Sequence, residues 1–154
     1  MTHRPPDPDF ESRVCASFDR QAAMRLIGAE LAVLAPGHAV IELPFRPDLT
    51  QQHGLIHGGI TAMIADAAAG YAAFTLFPAD SSILTVEFKI SLVAPADGER
   101  LVAAAWVKKA GRTLTICEFE VTALKHGRST VCALGLETLI CLASRSDGPQ
   151  GTRS

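Results

Sequence analysis

The sequence predicts an α+β fold in which a strongly curved antiparallel sheet wraps around one apolar helix, and three observations carry that reading. Residues 59–77 (GITAMIADAAAGYAAFTLF) form an alanine-rich run of helical length that stops at Pro78. Residues 83–93 alternate, with Leu84, Val86, Phe88, Ile90 and Leu92 on one side and Thr85, Glu87, Lys89 and Ser91 on the other. Turn residues then cut the rest of the chain into extended runs joined by short connections, which make antiparallel neighbours.

Taken in order, residues 1–9 (MTHRPPDPD) are polar and proline-rich, and a loose tail is expected there. Phe10, Val14 and Phe18 share a face at helical spacing, which predicts a short helix over 10–20. The apolar runs 26–35 and 39–45 flank Pro36-Gly37-His38 and predict a hairpin. The run 59–77 is apolar nearly all the way round, so the helix is expected to be enclosed. After it come strands at 83–93, 101–107, 113–124 and 129–142, with turns at 95–98, 110–112 and 126–127. The order is β-β-α-β-β-β-β, and each of the last four strands is expected to lie beside the next. Within 114–120 the apolar parity changes sides, which predicts a bulge or a subunit contact. Residues 144–154 again read as a loose tail, leaving one domain over 10–143.

Composition narrows the function. A chain of 154 residues is the size of one domain and can bury a core without disulfides or metal. Its hydrophobic fraction of 48% and mean hydropathy of +0.23 are high for that size, which favours burial against another subunit. A net charge of −2 offers no whole-chain field for nucleic acid. Cys15, Cys117, Cys132 and Cys141 show no metal or redox spacing and read as buried, reduced thiols. With no secretory h-region and no apolar run of about 20 residues, a soluble cytoplasmic protein is expected.

One residue does not fit its surroundings. Between Asp48 and Asp80 the only Asp, Glu, Lys or Arg is Asp66, flanked by Ile64, Ala65, Ala67 and Ala68. A carboxylate there costs several kcal/mol unless it is hydrogen-bonded or faces a wet cleft. It is either a structural group satisfied by local donors or a base or nucleophile tuned by its environment. Just upstream, His57-Gly58-Gly59 opens the helix. Two glycines there let a ligand approach free N–H groups and the positive end of the helix dipole, or they simply make a tight turn. His57 reads as a positioning residue rather than a base. Gly58 and Asp66 are eight residues apart, roughly 12 Å along a helix. Two antiparallel copies of the helix across a two-fold axis would bring Gly58 of one chain to Asp66 of the other, which predicts a site at a homodimer interface.

The stretch 51–70 resembles the hotdog-fold acyl-CoA thioesterases of the phenylacetic-acid-degradation (PaaI-like) type. Their hallmark is Asn or Gln, then His-Gly-Gly, then an acid eight positions after the first glycine. The likeness continues through 84–95 (LTVEFKISLVAP) and 107–113 (VKKAGRT) and covers most of 22–142. It implies hydrolysis of a small or medium acyl-CoA or aryl-CoA thioester. In that scheme Asp66 is the catalytic acid, as base or nucleophile, and the Gly58 N–H polarises the carbonyl. Gln51 stands where many members carry Asn and would orient the thioester or the water, while Thr85 falls where relatives place a hydroxyl near that water. His57 and Gly59 would line the substrate. Lys108, Lys109 and Arg112, with Lys125 and Arg128 at the next turn, could hold coenzyme A phosphates or be solvated turn charges. Coenzyme A enters as part of the substrate, no separate cofactor or metal is implied, and a dimer of dimers is the family's common assembly. The alternatives are a hotdog hydratase or dehydratase, for which His57 is a poor fit, and a non-catalytic acyl-CoA-binding protein, against which Asp66 argues.

Overall fold

The computed structural model describes residues 3–148. Helix α1 spans Phe10–Arg20 and α2 spans Ala22–Ile27, followed by strands β1 (Glu30–Ala35) and β2 (His38–Pro44). A 3₁₀ turn at Pro47–Leu49 leads to the long helix α3 (Gly58–Phe74). Strands β3 (Ser81–Leu92), β4 (Arg100–Lys109), β5 (Leu114–Lys125) and β6 (Arg128–Ala143) complete the chain. The six strands form one antiparallel sheet in the order β1-β2-β4-β5-β6-β3.

The sheet curls round α3, and the core lies between them. Ile64, Ala65, Ala68, Ala72 and Phe74 meet Ile41 and Leu43 of β2, Ala103 and Ala105 of β4, Phe119 and Val121 of β5, and Leu139 of β6, all buried. Alanine on both sides lets helix and sheet approach closely, while Ile64 and Phe74 each contribute about 1.5–3 kcal/mol by leaving water. Arg13 of α1 closes the far end of the helix by donating to the Phe74 and Phe77 carbonyls at 3.2 and 2.9 Å. A cation there satisfies orphan acceptors and complements the dipole.

Four expectations change. Residues 26 and 27 end a helix instead of starting a strand. Gly28, at φ 77°, takes the left-handed conformation, and its N–H together with that of Ala29 closes the turn on Met24 O at 3.0 Å each. Strands β3 and β4 are not neighbours, because β5 and β6 stand between them. Residues 93–99 cross the sheet end, anchored by Val93 N–H to Cys132 O and Glu99 N–H to Leu124 O. Seven residues reach up to roughly 23 Å, enough to step over two strands. Alternation in β3 breaks at a bulge: Thr85 pairs with Leu139 and Glu87 with Thr138, leaving Val86 unmatched. The bulge expected within 114–120 lies on the facing strand: β4 carries Lys108 unmatched opposite Ile116 and Cys117, while Thr115, Cys117, Phe119, Val121 and Ala123 of β5 keep one buried face. A second falls on β6, where Cys132 is skipped between the Val121–Ala133 and Thr122–Val131 pairs.

The expected tails are partly held down. Asp7 is buried against Arg13 at 2.7 Å, and Asp147 pairs with Arg20 at 2.7 Å. The remainder of both, 1–2 and 149–154, lies outside the described residues. Cys117 and Cys132 are buried as expected, whereas Cys15 is exposed. Among the described residues no helix is long and apolar enough to cross a membrane.

Candidate active site

Asp66 sits in the third turn of α3, partly exposed, where the helix passes the bulged part of β3. The bulge decides what it meets. Ahead of it the inward residues of β3 are Ile83 and Thr85, and beyond it they are Phe88, Ile90 and Leu92, because one extra residue flips the parity. Thr85 is thereby turned inward, and its hydroxyl lies 2.7 Å from Asp66 Oδ1. The same hydroxyl lies 3.0 Å from Oε1 of Glu137, a β6 residue only 1% exposed. Burial, and then the neighbouring Asp66, push the Glu137 carboxyl up to about 9.

Asp66 and Thr85 open onto a cavity of about 420 Å³ lined also by Ser17, Arg20, Tyr71 and Leu139. Burial raises the Tyr71 phenol to about 12, so it enters the cavity as a neutral hydroxyl. The cavity's lining mixes apolar side chains, Ile83, Leu84 and Leu139, with polar and charged ones that include Gln21 and Asp147. The sequence reading missed Glu137 and the contribution of α1. Glu137 was findable: it falls on the same parity as Ala133 and Leu139, the inward parity of β6, where an acid is out of place.

The helix start is built from the preceding loop. His57 Nδ1 accepts the Gly59 N–H at 2.8 Å, so the ring acts as the N-cap and its neutral form carries the proton on Nε2. Backbone bonds from His57 N–H to Leu49 O and from Ile56 N–H to Ala96 O fix the loop. Gly58 is the first helical residue, and its N–H has no bonded partner among the described residues. A Cβ on Gly58 would stand 2.8 Å from Leu92 Cδ1, the tip of an exposed side chain of β3 that can move aside. Gln51 turns its side-chain carbonyl onto the His53 N–H.

Within one chain, then, Asp66 and Thr85 come together at mid-helix, while Gln51, His57, Gly58 and Gly59 stay at or before the helix start. The cations divide likewise. Lys108, Lys109 and Arg112 lie at the sheet end nearer Thr85, with Lys108 paired to Glu118 at 2.8 Å. Lys125 and Arg128 lie at the opposite end, with Lys125 paired to Asp97 at 2.7 Å.

An enclosed helix with one acid, in a curled antiparallel sheet of this strand order, defines the hotdog class. Residues 53–130 match the model of the thioesterase superfamily, and the chain belongs to that family. A thioesterase family protein from Silicibacter pomeroyi superposes with a TM-score of 0.86 at 40% identity, covering 87% of this chain and 98% of that one. Human acyl-coenzyme A thioesterase 13 is 29% identical over 99 residues, 64% of this chain and 70% of its own. The Escherichia coli PaaI protein shares the fold, with a TM-score of 0.78 at 19% identity over 88% of this chain and 94% of its own. The protein is a thioester hydrolase of the thioesterase superfamily.

Proposed function

We propose that the protein hydrolyses small or medium acyl-CoA or aryl-CoA thioesters, with Asp66 as general base or nucleophile and the Gly58 N–H of a second subunit polarising the carbonyl. The observation that carries this is Asp66 itself, the one charged residue of α3, bonded to Thr85 at 2.7 Å and open to a cavity. Thiolate is a good leaving group, so one carboxylate and one oxyanion donor suffice.

The shared site has its own support. Strand β3 is a sheet edge of 12 residues whose Leu84, Val86, Phe88 and Leu92 are all at least 43% exposed. An apolar, unpaired edge of that length is a template for a second strand. Pairing β3 with its symmetry copy about a two-fold axis sets the two α3 helices antiparallel, bringing each Gly58 toward the other chain's Asp66. The same operation carries Lys125 and Arg128 of one chain toward Lys108, Lys109 and Arg112 of the other, a cationic rim for the nucleotide phosphates. Gln51, with its amide nitrogen free of the loop, arrives with Gly58. Trp106, Leu114, Leu134 and Leu136 remain exposed on the outer sheet face, which a dimer of dimers would cover.

Complementation tests the reading. Asp66→Asn and Gly58→Pro are each made alone and then mixed under conditions of subunit exchange, with thiol release followed over a panel of acyl-CoA and aryl-CoA substrates. Mixed dimers carry one intact site, so activity should return to about a quarter of wild type. Absence of recovery after demonstrated exchange would place both groups in one chain. A wild-type enzyme inert on the whole panel would remove coenzyme A thioesters as substrates.

A further inference from the structure

Thr85 has one hydroxyl proton and two carboxyl neighbours, Asp66 Oδ1 at 2.7 Å and Glu137 Oε1 at 3.0 Å. A hydroxyl can donate to only one of them. Were both acids ionised, Thr85 could donate to one alone, and Glu137, only 1% exposed, would be left with lone pair against lone pair or with its charge unmet by water. One carboxyl must therefore carry a proton and donate it to Thr85.

The surroundings decide which. Asp66 is partly exposed and lines the cavity, so water can solvate its charge. Glu137 is 1% exposed, and its Oε2 has no bonded partner. The ionisable groups facing it are Asp66 from α3 and Cys117 from β5, and the thiol is itself pushed up to about 12 by burial and then by Glu137. Thr85 from β3 is its bonded neighbour, and Phe88 pairs with it across the strands. None of the ion pairs among the described residues includes it. A carbonyl oxygen left without a donor is a modest cost, whereas a buried carboxylate oxygen left so is a large one.

We propose that Glu137 is a positioning residue of the hydrolysis, a neutral acid heading the chain Glu137 Oε1–H to Thr85 Oγ1–H to Asp66 Oδ1. This rests on the role given to Asp66 above and refines it. The chain occupies Oδ1 and leaves Oδ2 as the oxygen that meets water or the thioester carbon. It is not consumed: a proton taken from water by Oδ2 goes to the departing thiolate, and the relay stays as it was. When Glu137 ionises, Thr85 loses its donor and a second negative charge enters the site. Turnover then falls on the alkaline side.

Two variants and two readouts test this. In wild type, infrared spectroscopy at neutral pH should show a protonated carboxyl band that Glu137→Gln removes. The wild-type pH profile of kcat should carry an alkaline limb near 9. Glu137→Gln, whose amide still donates to Thr85, should lower kcat about threefold and abolish the limb, while Glu137→Leu should lower kcat roughly tenfold or more with KM little changed. An unchanged limb in Glu137→Gln, a missing carboxyl band, or wild-type kcat in Glu137→Leu would overturn the proposal. If the wild-type enzyme hydrolyses no thioester, the functional reading fails, yet the infrared band still decides where the proton sits.

Discussion

The two halves of α3 are both largely apolar and do opposite work. From Ala67 to Phe74 every residue but Gly70 is buried, and none is charged. From Gly58 to Asp66 only Thr61, Ile64 and Ala65 are buried, and the half begins with two glycines and ends with an acid. The closed half binds helix to sheet. The open half gives up that burial and gains access, with unpaired N–H groups at one end and a carboxylate on a cavity at the other. Composition separates them only in part: five of the eight residues from Ala67 to Phe74 are alanine, against two of the nine from Gly58 to Asp66. What separates them is their cover: the sheet together with α1, whose Phe18 packs on Tyr71, closes the second half except at Gly70, and the first half is left more open.

The sharpest way to break the comparison is at Asp66. Asp66→Asn keeps shape and removes the proposed base or nucleophile, so kcat/KM should fall by about 10²–10⁴ while the fold survives. Thiol release and circular dichroism on the same sample check both halves of that statement. The counterpart in the closed half is Phe74→Ala, expected to cost about 3–5 kcal/mol in urea unfolding with turnover per folded molecule nearly unchanged. A Phe74 variant that folds as well as wild type but fails to turn over would erase the division.

Gly58 separates donor from shape. Proline is well tolerated at the first helical position, and His57, at φ −61° and ψ 137°, already has the conformation that precedes it. Gly58→Pro therefore deletes the N–H while keeping the helix, and Gly58→Ala adds a Cβ against the movable Leu92 while keeping the N–H. Alanine should lower kcat by about tenfold or less. Proline should lower it by a further 10²–10³, the loss typical of one oxyanion donor. Equal effects would show that crowding, not donation, is what Gly58 contributes.

How much of this the sequence displayed depends on the range of the interaction. The helix, the strand order along the chain and Asp66 were legible because each is a local departure: an alanine run, an alternation, one acid in an apolar stretch. Thr85 was placed by resemblance, and only the bulge at Val86 explains how it faces inward. The β3-to-β4 crossing was hidden because Pro95–Gly98 suits a hairpin and a crossover equally, and what decides is the distant β6, which pairs with β3 from Leu92–Ala133 to Ser81–Ala143. The helix at 22–27 was hidden by Leu26, which reads as core but is 76% exposed. Glu137 was visible as a parity violation, but its meaning needed Asp66 and Thr85 in the same place.

That three-residue cluster leaves a mark on stability that activity measurements do not see. The folded state holds the Glu137 proton from its ordinary value of 4.5 up to about 9, while the unfolded chain has released it. Over that window the native state binds more protons than the unfolded one, so this group's stabilisation is complete below the ordinary value and is lost as pH rises toward 9. Glu137→Gln cannot titrate. Its stability should fall less across the window than that of wild type, by up to about 4 kcal/mol between pH 5 and 8. Urea midpoints at fixed protein concentration give the difference directly, because every other carboxylate is common to both proteins and cancels. Parallel curves for the two proteins would mean that Glu137 is ionised in the native state, and the open half of α3 would then face two negative charges instead of one.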